Sequence, residues 1–295
     1  MTRLEIEAFL SVVKYGSISL ASDKLFITQP ALSRRIRFLE EELGYELFER
    51  GRGIRKIRIT DQGMDFIPVA KRFLQLYQEA GEIPLKQTRP ILHVSAVNSL
   101  AAYLLPQILS TMIRKENGCR IVFHSGRSRD IYDYVQNHLV DIALVSDVLH
   151  AEGVVTFPAF REPFVFAGGK KWAGTHTVTP KMLDPKDQIR FPWNPEYDVW
   201  HNKWFPPDSV ASLTADNMAF LEAFLEEEKW VILPLLVARG IKRNDVWICP
   251  LENGPEPMTI YGLTAGSRHK APAEEFLHLV HETVSGFDEI QSFLF

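Results

Sequence analysis

The stretch TQPALSRRIRFLEEELG, residues 28–44, concentrates side chains that can recognise a polyanion. Gln29, Ser33, Arg34 and Arg37 share one side of a helix, beside an apolar stripe of Leu32, Ile36, Leu39 and Leu43. Thr28 suits the cap before that helix and Pro30 its first turn, where a missing N–H costs least. The polar face carries no acid until Glu40, so its N-terminal turns present donors and positive charge. Gln can pair bidentately with adenine and Arg with guanine, while Ser33 and the helix N-terminus suit phosphate oxygens. Arg50, Arg52 and Arg55 follow on a Gly-rich turn, where they could flank the helix and enter a minor groove. For one helix alone, a packed stripe with solvated arginines would explain the pattern equally well. The caps, the basic second face and the basic turn together favour nucleic acid.

A second set of polar residues stands at the carboxyl ends of expected strands, where α/β sheets bind ligands. Asn98 and Ser99 follow ILHVSAV (91–97) and begin a helix. Arg127 and Ser128 follow RIVFHS (120–125), again at a helix start. Trp193 and Asn194 follow QIRFP (188–192). Ser99 and Ser128 can serve as helix caps, as ligand donors, or as both. Helix N-termini beside Arg127 suit an anionic ligand such as a carboxylate, and Phe191 and Trp193 suit an aromatic or apolar body.

Catalytic patterns are missing. The chain contains no G-x-G-x-x-G, G-x-S-x-G, P-loop or H-E-x-x-H. Its histidines do not cluster with acids or cysteines, and His93 and His124 sit in apolar strands as core or pocket polar groups. Cys119 and Cys249 are far apart and give neither a metal spacing nor a disulfide framework, as expected of buried thiols in a reducing compartment. No catalytic residue, metal ligand or cofactor is expected. An α/β enzyme, or a ligand-binding module with an appended DNA-binding head, is the alternative. Ligand binding without turnover would separate a sensor from an enzyme.

The elements that must position these groups follow from caps and periodicity. Thr2 and Glu5 form a T-x-x-E capping box ahead of Ile6, Phe9 and Val13, and Gly16 ends that helix. Ser17 or Ser19 can cap a second helix, and the third ends at Gly44. ELFERGRGIRKIRIT reads as two short strands around a turn. A longer helix follows from Thr60, its stripe of Phe66, Ile67, Ala70, Phe73, Leu74 and Tyr77 expected to face a partner subunit, with Pro68 bending it or marking its entry. GEIPLKQTRP (81–90) reads as a hinge. Beyond residue 91, strands and helices alternate. Further strands are expected at 141–146, 163–168, 210–215, 230–234, 246–250 and 258–264, and helices at 100–115, 128–139, 216–227 and 272–286.

The charge distribution agrees with a two-part chain. The 295 residues carry a net charge of −4. The first 60 hold eleven Lys and Arg against eight Asp and Glu, a balance of +3, which leaves −7 for the rest. A basic head on an acidic body suggests a polyanion partner for the head only. The start MTRLEIEAFL lacks a basic n-region and a long apolar h-region, and stretches such as VILPLLVA are too short to span a bilayer, so a cytoplasmic location without membrane contact is expected.

Phe9, Gly16, Ser17, Ala21, Leu25, Gln29, Pro30, Ala31, Ser33, Ile36, Leu39, Glu40, Leu43, Gly44, Leu47, Phe48, Arg50, Thr60 and Gly63 stand at offsets that resemble the head of LysR-type transcriptional regulators. Departures are Ser22 for a usual second Ala, Ile59 for Leu and Gln62 for Ala. The resemblance continues more weakly through NSLAAYLLPQIL, LVDIALVS and REPFVFAG, while EEEKWVILP replaces a usual Gly-rich turn. It implies a winged helix-turn-helix at 1–60, a dimerising linker helix and hinge at 61–90, and a two-lobed α/β effector domain at 91–295, similar to periplasmic binding proteins. Lobe I would comprise 91–162 and 266–295, and lobe II 163–265. The resemblance implies that Thr28, Gln29, Pro30, Ser33, Arg34, Arg37, Arg50 and Arg52 meet double-stranded operator DNA. It also implies that Asn98, Ser99, Arg127, Ser128, Trp193 and Asn194 line an inducer cleft, and that the chain self-associates as a dimer or tetramer.

Overall fold

The computed structural model describes residues 1–49, 58–82, 90–115, 118–206, 209–265 and 270–295. The chain divides into two compact units, Met1–Thr88 and Arg89–Phe295. In the first, the Thr2–Glu5 capping box starts α1 (Arg3–Tyr15), which Gly16 ends in the left-handed region. Ser17, rather than Ser19, caps α2 (Ile18–Lys24). Thr28 caps α3 (Gln29–Leu43) by accepting from the Ala31 amide, and Gly44 closes it at φ 79°. Ile6, Phe9 and Val12 of α1 bury against Leu32, Ile36 and Leu39 of α3.

Glu40 is not a solvated acid. It is 7% exposed and accepts from the Leu47 and Phe48 amides at 2.8 and 3.2 Å, tying the end of α3 to the chain that follows. Of the expected hairpin, the described residues hold an antiparallel bridge between Phe48 and Ile59. Arg50, Arg52 and Arg55 lie outside the described residues, as does most of the 81–90 hinge.

α4 (Asp61–Glu82) begins at Thr60, whose hydroxyl accepts from the Gly63 amide at 2.9 Å. A Cβ at Gly63 would collide with the Leu47 carbonyl and the Ile59 side chain, so only glycine fits there. The helix runs through Pro68. Its stripe is not left whole for a partner subunit. Phe66 and Ala70 are buried in the unit's own core, the Phe66 ring 5.3 Å from that of Phe9. Tyr77 lies under the Arg3 guanidinium, 5.6 Å from the ring centre.

The second unit opens with β1 (Ile91–Val97), α5 (Asn98–Tyr103), α6 (Leu105–Arg114), β2 (Arg120–Gly126), α7 (Ser128–Gln136) and β3 (Ile142–Val145). The helix expected over 100–115 is two helices, because Pro106 has no N–H for the Ala102 carbonyl and restricts Leu105 before it. Next come β4 (Val155–Glu162), β5 (Phe164–Gly168), β6 (Ile189–Arg190), α8 (Pro195–Trp204), β7 (Leu213–Thr214) and α9 (Ala219–Phe224). The chain ends with β8 (Trp230–Pro234), α10 (Leu235–Gly240), β9 (Trp247–Pro250), β10 (Met258–Thr264), α11 (Lys270–Ser285) and β11 (Gln291–Ser292).

Two sheets result. One has the order β11–β4–β10–β3–β1–β2, with β1 parallel to both β2 and β3 and the rest antiparallel. The other is β8–β5–β9, antiparallel, and the Gln188–Trp230 bridge joins it to the short parallel pair β6–β7. The chain leaves the first sheet at Glu162–Pro163 and returns to it at Met258. Lobe II was expected to run to 265. Instead its strands end at Pro250, because β10 pairs with β3 and β4 rather than with β5. β4 escapes a sequence reading because Pro158 interrupts it. The register shift between Ile260 and Tyr261 lies opposite, a bulge that accommodates the proline.

Candidate functional site

In the first unit, the N-terminal half of α3 presents Thr28, Gln29, Pro30, Arg34 and Arg37 as exposed residues, with Ser33 half-buried among them. Neither Arg34 nor Arg37 has an ion pair among the described residues. The Gln29 amide donates to the Ser19 hydroxyl at 3.2 Å, which ties its side chain to α2 and leaves the carbonyl and one N–H outward. Thr28 accepts from Ala31, so its own O–H remains available to donate. The acidic end of α3 is occupied differently: Glu40 faces the core and Glu42 pairs with the N-terminal amine.

In the second unit, a cavity of about 390 Å³ lies at the carboxyl ends of β1, β2 and β3. Asn98, Ser99, Arg127, Ser128 and Trp193 line it together. The caps of α5 and α7 are Val97 and Arg127, and neither makes a side-chain capping bond. Ser99 and Ser128 are therefore not caps. Ser99 is 7% exposed, and its hydroxyl makes no hydrogen bond among the described residues. Ser128 donates to Asp147 Oδ2 at 2.7 Å, and Ser146 donates to the same oxygen at 3.2 Å. Arg127 bridges to Asp216 at 2.8 Å, both side chains largely exposed.

Trp193 lends the cavity its ring rather than its N–H, which donates to the Ile232 carbonyl at 2.9 Å. Asn194 does not line this cavity but the adjacent one of about 770 Å³, where it stands with Arg127, Ser128, Ser146 and Asp147. Its carbonyl oxygen accepts from the Tyr197 amide at 2.8 Å as the cap of α8, a bond that does not use its N–H₂ group.

Sequence reasoning passed over Ser146, Asp147, Asp216, Met218 and Met258, all of which line the cavity. Ser146 and Asp147 were within reach, since they follow the third parallel strand as Asn98 follows the first. Asp216 and Met258 enter only because β7 and β10 lead there. Among the described residues, no three His, Cys, Asp or Glu are grouped to hold a metal ion, and no helix is long and apolar enough to cross a membrane.

Residues 4–64 match the family described as bacterial regulatory helix-turn-helix protein, lysR family, and residues 86–285 match the LysR substrate binding domain. The chain is 29% identical over 149 residues to the HTH-type transcriptional regulator CysB of Haemophilus influenzae, covering 49% of this chain and 46% of that protein. It is 25% identical over 166 residues to the DNA-binding transcriptional dual regulator OxyR of Escherichia coli, covering 55% and 54% respectively. The chain thus spans about half the length of these curated relatives. Full-length CbnR complexed with its target DNA has the same fold at a TM-score of 0.70 and 16% identity, covering 96% of this chain and 100% of that one. Full-length OxyR from Pseudomonas aeruginosa aligns at a TM-score of 0.61 and 18% identity over 95% of both chains. With a domain match that takes in well over half of its residues, the chain belongs to the LysR family of bacterial regulatory helix-turn-helix proteins.

Proposed function

We propose that the protein is a sequence-specific, DNA-binding transcriptional regulator of the cytoplasm whose second unit senses a small molecule bearing a carboxylate. The observation that carries the DNA reading is the bare polar face of α3: Gln29, Arg34 and Arg37 are exposed, and the two arginines are unpaired among the described residues. Gln29 and Arg34 would read base edges in the major groove of double-stranded operator DNA. Thr28, Ser33 and the helix N-terminus would donate to phosphates, and Pro30 would pack against the backbone. Arg37, with Arg50 and Arg52 of the wing, would hold flanking phosphates or a narrow minor groove.

Arg34→Ala is expected to weaken operator binding by about 1–3 kcal/mol and to relax preference at one base position, as loss of a bidentate contact does. Binding-site selection with wild type and variant checks this. An unchanged selected sequence would remove Arg34 from base readout.

In the cavity, the unpartnered Ser99 hydroxyl and Asn98 would receive the carboxylate, with Arg127 beside it. Trp193 stands on the other sheet's side, so occupancy would bias the angle between the two sheets. A ligand shifts such an equilibrium only by its difference in affinity for the two arrangements. Regulation would act on a dimer or tetramer and require no cofactor. Titrating a candidate carboxylate against the operator footprint of wild type and Arg127→Ala tests the sensing role. A wild-type response in the variant would place the effector elsewhere.

Several relatives are described as hydrogen peroxide-inducible genes activators, but the cysteines here are not arranged for a thiol switch. Cys119 and Cys249 are each 6% exposed, the first just before β2 and the second within β9 of the other sheet, and have thiols pushed up by burial. The Cys119→Ser/Cys249→Ser double variant is expected to keep its operator footprint with and without hydrogen peroxide. A peroxide-dependent footprint in wild type that vanishes in the double variant would reverse this.

A further inference from the structure

We propose that the cavity selects a zwitterion: a small molecule that carries an ammonium close to its carboxylate, as an α-amino acid does. This rests on the reading of the cavity as the effector site and adds the charge pattern it demands. The charged side chains lining the cavity are Arg127, Asp147 and Asp216. One guanidinium against two carboxylates leaves a net negative charge, and the guanidinium is already engaged by Asp216 at 2.8 Å. A bare carboxylate would enter an unfavourable field. A ligand with both charges would not.

The direction of the hydroxyl protons points the same way. Asp147 Oδ2 accepts from Ser128 at 2.7 Å and from Ser146 at 3.2 Å. A hydroxyl has one proton, so both serines are spent as donors and offer only lone pairs to a ligand. Together with Asp147 they form an acceptor-only, negative corner that suits the three N–H donors of an ammonium. The complementary corner is built to donate. Ser99 is more than nine-tenths buried, lines the cavity and has no partner for its hydroxyl among the described residues. Asn98, its neighbour in the lining, adds an amide N–H₂. These groups suit a carboxylate. Met218, Met258 and the ring of Trp193 form the apolar remainder for the ligand's body.

The test is isothermal titration of the full-length protein with two matched sets. One is L-phenylalanine, 3-phenylpropanoate and 2-phenylethylamine; the other is L-leucine, 4-methylpentanoate and isoamylamine. In at least one set, the amino acid is expected to bind about tenfold or more tightly than the compound lacking its amine and the compound lacking its carboxylate. Asp147→Asn, which keeps an oxygen acceptor for the serines, should remove about tenfold of the amino acid's affinity and change that of the amine-free acid by less than about threefold. An amine-free acid that binds as tightly as its amino acid overturns the proposal, as does the absence of any amino-acid binding below about 10 mM. Ser99→Met, which fills the cavity, separates the two levels. If 3-phenylpropanoate matches L-phenylalanine in wild type and both are lost in Ser99→Met, the cavity is the effector site and the charge assignment is wrong. If L-phenylalanine binds undiminished to Ser99→Met, the cavity is not the site and both readings fall.

Discussion

Val69→Asp or Leu76→Asp in α4 is expected to yield monomers and to lower operator affinity by about 10²–10⁴-fold, the range gained when two linked heads engage two half-sites. The helix uses Phe66 and Ala70 to close its own unit's core. Val69 and Leu76 remain 53% and 40% exposed, and Phe73 lies half-buried between them. Their spacing of four and three residues aligns them on one shoulder of the helix. A second copy of α4 would cover that shoulder, and a carboxylate placed there would be buried without a partner. Tyr77 is a poorer site for the test, because an aspartate there would stand beside Arg3 and gain an ion pair within its own chain. Met64→Asp serves as the control, since Met64 is 54% exposed but lies on another side of the helix. Sedimentation velocity and fluorescence anisotropy on operator DNA read both effects. An unaltered oligomer in Val69→Asp and Leu76→Asp would remove this shoulder from the interface.

Stability should fall as pH rises from about 5.5 to 8, and Glu162→Gln should remove about 3 kcal/mol of that change. Glu162 ends β4 where the chain passes between the two sheets, and it is 1% exposed. Its Oε2 accepts from the Leu236 amide at the start of α10 at 2.8 Å, while Oε1 has no partner among the described residues. Burial pushes its pKa up to about 8 against the hydrogen bond from Leu236, which pulls it down. Above the ordinary value of 4.5, the unfolded chain has lost this proton and the folded chain keeps it. Folding then takes up a proton, so stability declines until the folded carboxyl also ionises near pH 8, and is flat with respect to this group beyond. The amide oxygen of the Glu162→Gln variant would still accept from Leu236, and the amide cannot titrate. Urea denaturation at the two pH values gives the wild-type-minus-variant difference. Parallel pH dependences would show that this carboxyl is already ionised in the folded protein.

The head of the protein is written in short-range chemistry, which is why so much of it was legible. A capping box at Thr2, left-handed glycines at Gly16 and Gly44, and Thr28 before Pro30 act over one helical turn. The stripe of Leu32, Ile36 and Leu39 already implies the face opposite it. The same logic located Ser99 and Arg127, because a polar residue after a strand and before a helix stands at the ligand-facing end of a parallel sheet.

Where partners come from across the chain, the residues alone did not decide. Glu40 is a surface acid by spacing and a buried clamp by virtue of the Leu47 and Phe48 amides. Asn194 reads as a residue after a strand, and only the fold makes its carbonyl oxygen the cap of α8 and places it in the adjacent cavity. β10 reads as a strand from its composition, yet only pairing with β3 and β4 assigns it to the first sheet, and that assignment carries Met258 to the cavity. The cavity's charge is likewise tertiary, since Asp147, Asp216 and Arg127 line it from separate strand ends. Helix caps and stripes depend on neighbours within a few residues, so the sequence by itself determined the helices of the head, the family and the exposed arginines. Strand partners, burial of carboxyl groups and the charge of a cleft depend on which distant segments pack together, and those only the tertiary structure decided.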